Sequence, residues 1–262
     1  MPPAHPSRRA VLGGALATTA LAGCSYSVLD PPPGASAADG AIDGSTWGGP
    51  AARWRLVWPR RTAPRALVVG LHGKGGSADS SFQLGFDARA TELGLAFASV
   101  SGGDGYWHRR RDGRDPARLV LDELVPLARK RSGLSANGRV AFIGWSMGGY
   151  GALLLAGQVP RAQLVGVATL SAALWTSPGA TAAGAFDDAQ DYAAYDVFAA
   201  KRRLPGVPVS MACGASDPFL KANRTFAARR PGTTTTFDKG GHDGDYWSAH
   251  AGTAMAFLAA QL

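Results

Sequence analysis

Residues 139–158 set a short strand, a tight turn and a helix in immediate succession, and no other stretch limits the fold as strongly. Val140-Ala141-Phe142-Ile143 is apolar and rich in β-branched and aromatic residues, as a buried parallel strand is, and from Ala152 onward the residues are good helix formers. Between them Gly144-Trp145-Ser146-Met147-Gly148 fits G-x-S-x-G, in which a sharp strand-to-helix turn lifts one serine hydroxyl clear of the sheet. Side chains at the two glycines would collide with the strained turn and with the neighbouring strand. In a chain with 35 glycines the bare pattern carries little weight; the strand before it and the helix after it supply the rest.

The same alternation runs through most of the chain. Strands are expected over residues 53–58, 66–71, 95–100, 164–170, 207–213 and 233–238, and helices over 80–94, 192–204, 218–229 and 245–262. A further helix opens at Asp115-Pro116, buries Leu121, Leu124, Val125 and Ala128, and is expected to kink at Pro126. This order predicts an α/β chain with a mostly parallel central sheet covered by helices on both faces. At 262 residues and 46% hydrophobic content one domain can bury a full core. Ligand sites in such sheets lie beyond the carboxyl ends of the strands. Residues 171–191, Gly/Ala-rich with Trp175 and Phe186 as the large aromatics, read as a short flap with no room for a large cap. The loop 101–114 carries Arg109-Arg110-Arg111, expected to be solvated, and Trp107, a candidate pocket wall.

The first residues stand apart from this pattern. Ser7-Arg8-Arg9-Ala10-Val11-Leu12 has the form of a twin-arginine export signal, followed by a weakly apolar segment too short to span a bilayer. Leu21-Ala22-Gly23-Cys24 resembles a bacterial lipoprotein box. The expectation is a signal peptide over residues 1–23, a lipidated Cys24 anchoring the chain to the membrane, a Pro/Gly/Ala/Ser-rich flexible tether over 24–50 and a folded domain over 51–262. Cleavage after Ala35-Ser36-Ala37, giving a simply secreted protein, is the alternative. With Cys24 lipidated, Cys213 has no partner for an intramolecular disulfide and reads as a small buried hydrophobe. The formal charge of +8, less Arg8 and Arg9, leaves +6, which suits the neighbourhood of anionic lipid better than nucleic-acid binding.

The glycine cluster Gly73-Lys74-Gly75-Gly76 follows a predicted central strand, where backbone N–H groups can face an anion. A nucleoside-triphosphate loop needs Gly-Lys-Ser/Thr and fails here, because Gly75 follows Lys74. Gly73, Gly75 and Ala78 match a dinucleotide fingerprint with Asp104 as ribose acid, but that leaves the Ser146 turn unexplained. An oxyanion loop accounts for both.

A serine hydroxyl attacks only when a base takes its proton, and the base needs an orienting acid. Asp217, in Gly214-Ala215-Ser216-Asp217-Pro218, and His242, in Gly240-Gly241-His242-Asp243, each follow a predicted strand, giving the order Ser146, Asp217, His242 that the α/β-hydrolase fold requires. His250 sits inside the last helix and reads as a packed histidine, His72 as structural, and His108 as part of an arginine-rich loop. There is no H-E-x-x-H and no paired cysteine, so neither a metal nor another cofactor is expected.

At these positions the chain resembles the bacterial esterases related to esterase D and the antigen 85 mycolyltransferases. Leu71-His72-Gly73, the run from Ser101 to His108, Gly144 to Gly149, Ser216-Asp217-Pro218 and Gly241-His242-Asp243-Gly244-Asp245-Tyr246-Trp247 carry the resemblance, over residues 53–262. It implies an α/β-hydrolase fold, a Ser146/Asp217/His242 triad, an oxyanion hole of the Met147 and Lys74 amides, and hydrolysis of carboxylic esters or transfer of acyl groups between hydroxyls. The lipobox and the short 171–191 segment set the chain apart from the mycolyltransferases. Trp107, Trp145, Trp175 and Trp247 are the candidate walls for a small-molecule or lipid ester. An acyltransferase with the same triad, a catalytically dead envelope binding module and a serine peptidase are the rival readings.

Overall fold

A computed structural model describes residues 31–199 and 204–262. Its centre is an eight-stranded sheet made of β1 (Ala35–Ile42), β2 (Ala52–Pro59), β3 (Leu67–Leu71), β4 (Ala96–Val100), β5 (Val140–Trp145), β6 (Leu164–Leu170), β7 (Val209–Ala212) and β8 (Thr234–Thr236), in the order β1-β2-β4-β3-β5-β6-β7-β8. β1 and β2 are antiparallel to their neighbours and every other pair is parallel. β3, β4, β5 and β6 are buried along their whole length, which is why they read as unbroken apolar runs.

The helices are α1 (Ala78–Gln83), α2 (Phe86–Glu92), α3 (Pro116–Arg118), α4 (Val125–Ser132), α5 (Met147–Ala156), α6 (Ala189–Tyr195), α7 (Leu220–Ala228) and α8 (Gly244–Ala259). The Asp115 side chain accepts the Arg118 N–H and caps α3 as expected. The predicted kink at Pro126 takes a particular form. Leu119–Leu124, just before it, is wound as a π-helix, so the wider turn absorbs the hydrogen bond a proline cannot donate. Among the described residues no helix is long and apolar enough to cross a membrane.

The tether expected over residues 24–50 is corrected where it meets the described residues. Ala35–Ile42 is an edge strand, in register with β2 from Ala35 opposite Pro59 to Ile42 opposite Ala52. Trp47 is buried just after it. The sequence hid this strand because its residues are small: a Cβ at Gly40 would lie 3.0 Å from the Trp54 ring, so the tight packing that holds the strand demands a residue that looks like linker. The export segment, Cys24 and residues 25–30 lie outside the described residues.

Candidate active site

The Ser146 turn is enforced by exclusion. Ser146 has φ +52° and ψ −121°, a strained conformation for a residue with a side chain. A Cβ at Gly144 would come within 2.2 Å of the Gly148 carbonyl oxygen, and one at Gly148 within 1.9 Å of the Leu71 carbonyl oxygen. The Ser146 N–H donates to Leu170 O at 3.0 Å and its carbonyl accepts the Ala173 N–H at 2.9 Å, which ties the turn to the end of β6.

The three residues separated in the chain meet here. His242 Nδ1 lies 2.8 Å from Asp217 Oδ2 and Nε2 lies 2.9 Å from Ser146 Oγ. The Asp217 side chain is fully buried and that of His242 is 24% exposed. Burial pushes the Asp217 carboxyl up, but hydrogen bonds from His242 and the Phe219 N–H outweigh it and hold the group below its ordinary value. An ionised Asp217 can only accept, so Nδ1 carries the ring proton and the Nε2 lone pair faces the Ser146 hydroxyl. Phe219 and Trp247 pack on the imidazole, each with its ring centroid 5.2 Å away.

Beside Ser146 stands the glycine loop. His72 is buried, its Nδ1–H donating to Gly73 O at 2.7 Å and its Nε2 accepting the Gly102 N–H at 3.1 Å. Gly73 O only accepts and the Gly102 N–H only donates, so this histidine is neutral in a single tautomer, and burial lowers its pKa in keeping with that. The Gly75 N–H donates to Asp104 Oδ1 at 2.7 Å. The Lys74 N–H has no acceptor among the described residues, and Met147, as the first residue of α5, has none inside its helix. Lys74 lines one cleft with Ser146, and Met147 is the residue that follows Ser146. That cleft, about 480 Å³, is walled by Gly73 to Gly76, Ser80, Gln83, Leu84, Trp145, Ser146, His242, Gly244 and Trp247.

The four tryptophans divide. Trp145 and Trp247 line the cleft. Trp107 does not: it is 1% exposed, packs edge-on against His72 at 4.9 Å and fills the space left by Gly102 and Gly151, so the expected pocket wall is a core residue. Trp175 lines a second cavity with Leu174, Phe219 and Lys221, separated from Ser146 by the Phe219 and His242 rings. The arginine loop is corrected as well. Arg110 is buried, donating to Gly184 O, Ala185 O and Asp187, while the Arg111 N–H reaches Asp187 and its guanidinium pairs with Asp188. The loop therefore pins the 171–191 flap. Cys213 is buried, and burial pushes its thiol up to about 12, as a small hydrophobe requires.

Sequence reading missed a brace behind His242. Asp238 accepts the Tyr246 hydroxyl at 2.8 Å and faces His250 Nε2 at 3.1 Å, and the Tyr246 and His250 rings stack 4.1 Å apart. The i, i+4 spacing of Tyr246 and His250 on the final helix was the available signal. Among the described residues no three His, Cys, Asp or Glu side chains are grouped so as to hold a metal ion.

With this geometry in place, comparison with known proteins decides the family. A family model described as "Putative esterase" matches residues 60–256. The chain belongs to the Esterase family. Its members are hydrolases that act on small-molecule esters, and this chain is an enzyme of that kind. No curated protein matches it. Among solved structures, a ferulic acid esterase superposes with a TM-score of 0.71 at 17% identity, over 87% of this chain and 98% of that one. An S-formylglutathione hydrolase from Agrobacterium tumefaciens gives 0.73 at 16% identity, over 87% and 96%. MPT51 from Mycobacterium tuberculosis gives 0.64 at 17%, over 81% and 94%. At such identities the likeness establishes the fold, an α/β-hydrolase without a large cap.

Proposed function

We propose that this esterase is a serine carboxylic-ester hydrolase working through an acyl-enzyme on Ser146. The observation that carries the reading is the single imidazole joined at 2.8 Å to a buried carboxylate and at 2.9 Å to the Ser146 hydroxyl. His242 Nε2 takes the hydroxyl proton as Oγ attacks the ester carbonyl, and the new oxyanion lies against the Lys74 and Met147 N–H groups at the positive end of α5. His242 then gives its proton to the leaving alkoxide as the ester C–O bond breaks. Water, deprotonated by the same imidazole, attacks the acyl-enzyme and releases the acid and free Ser146. Replacing Ser146 with Ala is expected to cut p-nitrophenyl acetate turnover by about 10⁴-fold or more with folding intact. Activity within tenfold of wild type would remove Ser146 from the mechanism. An alcohol such as glycerol can compete with water for the acyl group, and the ratio of transfer to hydrolysis measures any acyltransferase character.

The site is further proposed to work outside the cytoplasm, on a lipidated Cys24. The Arg8-Arg9 pair, the short apolar run and Leu21-Ala22-Gly23-Cys24 follow in the order that export and lipidation need. The expected outcome is wild-type protein in the membrane fraction of the producing bacterium and the Cys24→Ser variant in the soluble fraction; identical fractionation would overturn the anchor.

A further inference from the structure

The catalytic cleft does not end at Trp247. Leu84 lines both that cleft and a second cavity of about 700 Å³ between α2 and α8. The two cavities adjoin at Leu84, and their linings follow α8 from Gly244 beside the catalytic residues to Ala256. Leu84, Ala88, Leu93, Ala251, Gly252 and Ala256 give this second cavity its apolar lining, and Ser248 and Thr253 on α8 line it as well. The two charged residues on its wall, Arg89 and Glu92, are paired with each other at 2.9 Å. A polar or ionic arm of a substrate would thus find no unpaired charge there, whereas an alkyl chain loses only water.

Arg89 sets the length. A Cβ built on Gly252 would lie 3.5 Å from Arg89 Nε, so the arginine stem crosses the groove at that level. Gly244 to Gly252 spans about 12 Å of helix, on the order of eight to ten methylene groups of extended chain.

We propose that this groove holds the linear aliphatic arm of the ester, so that the substrates are medium-chain esters of about eight to ten carbons in that arm, bounded by Arg89. The proposal rests on the serine-esterase reading and adds the substrate class to it. The shared Leu84 assigns the occupant: the α2/α8 cavity is the space that adjoins the Ser146 cleft on the α8 side, where a chain whose carbonyl sits at Ser146 can extend.

The test compares wild type with Gly252→Leu on two series, p-nitrophenyl alkanoates of two to twelve carbons and n-alkyl acetates of the same lengths. The added side chain starts from a Cβ in ordinary contact with Arg89 alone, and replaces a mid-helix glycine by a good helix former, so folding is preserved. A fully buried methylene raises kcat/KM about fourfold, and one lying in an open groove about twofold. The expected result is a rise of about twofold per methylene to around eight carbons in one of the two series, which names the arm as acyl or alcohol, and a ratio of eight-carbon to two-carbon kcat/KM lowered at least tenfold by Gly252→Leu. Ala88→Leu, filling the groove from the other wall, is expected to lower the same ratio. Wild-type rates independent of chain length in both series, or a chain-length profile that both variants leave unchanged, overturn the groove assignment. Failure of the underlying reading is distinguishable, since it would show as wild-type p-nitrophenyl acetate turnover that survives Ser146→Ala.

Discussion

The nucleophile and the base of this site are held in place by different means. Ser146 lies at the centre of the sheet, between β3 and β6, where its turn is fixed by backbone atoms so close that Gly144 and Gly148 cannot carry a side chain. His242 follows β8, a three-residue strand at the edge of the sheet with exposed positions. Its loop is held chiefly by hydrogen bonds, the Ala215 N–H to Asp238 O at 2.6 Å, the Ser216 N–H to Gly240 O at 2.9 Å, and the Asp238 side chain to Tyr246 and His250 on α8, although a Cβ at Gly214 would also come within 2.4 Å of Gly240 O. Steric exclusion is all-or-none, whereas a hydrogen-bonded loop can yield a few tenths of an ångström. Damage at the elbow, the Ser146 turn between β5 and α5, should therefore appear as lost stability, and damage at the loop as lost rate in a protein that still folds.

The largest effect tests the loop. Asp217→Asn keeps the shape but offers an N–H where Nδ1–H needs an acceptor, favouring the wrong tautomer; kcat is expected to fall about 10⁴-fold with cooperative unfolding retained. Loss of cooperative unfolding instead would erase the contrast. The same carboxylate has a pH signature. Its folded pKa lies below its ordinary value of 3.8, so its stabilisation is complete above that value and is lost as pH falls through the lower folded value. Acid titration of unfolding should show this loss below pH 3.8 in wild type and not in Asp217→Asn. The elbow comes next. A Cβ 1.9 Å from Leu71 O cannot be accommodated without moving the strand, so Gly148→Ala is expected to cost about 4 kcal/mol or more, measured by urea unfolding. A variant as stable as wild type but slow would mean that the elbow yields as the loop does.

The brace gives a middle-sized effect. Burial and Asp238 hold the Tyr246 hydroxyl in its protonated, donating form, and Asp238 is its acceptor. Tyr246→Phe removes that donor and keeps the ring beside Gly240. A drop of about tenfold in kcat with KM unchanged is expected, from a base held less firmly; equal losses in kcat and folded fraction would make the tyrosine merely structural.

The same contrast separates what the sequence made legible from what it concealed. The elbow could be read because its constraint is local: strand, glycines, serine and helix fall within twenty residues. Asp217 and His242 could be placed by chain order, since each follows a strand whose carboxyl end faces the same edge. The brace was hidden because it joins Asp238, in the loop after β8, to the Tyr246 hydroxyl and the His250 ring on α8; the i, i+4 spacing marks the two rings as neighbours but does not reveal their shared acceptor. β1 was hidden because close packing on Trp54 selects Ala and Gly, the residues that also make tethers. Trp107 misled for the opposite reason. A large aromatic on a glycine-rich loop reads as a pocket wall, yet here the glycines make room to bury it.

The smallest effect concerns the loop that carries Lys74, which combines both kinds of constraint. Asp104 holds the Gly75 N–H at 2.7 Å, and the group is exposed, so water can replace much of what it supplies. His72 holds the preceding residue from the buried side, through Gly73 O and the Gly102 N–H, and does not depend on Asp104. Asp104→Ala should therefore leave the Lys74 N–H nearly in place and lower kcat by about two- to fivefold, well short of the 10²-fold or greater loss that follows removal of an oxyanion donor. A loss of that larger size would show that the exposed aspartate, and not the buried histidine, aims the Lys74 amide.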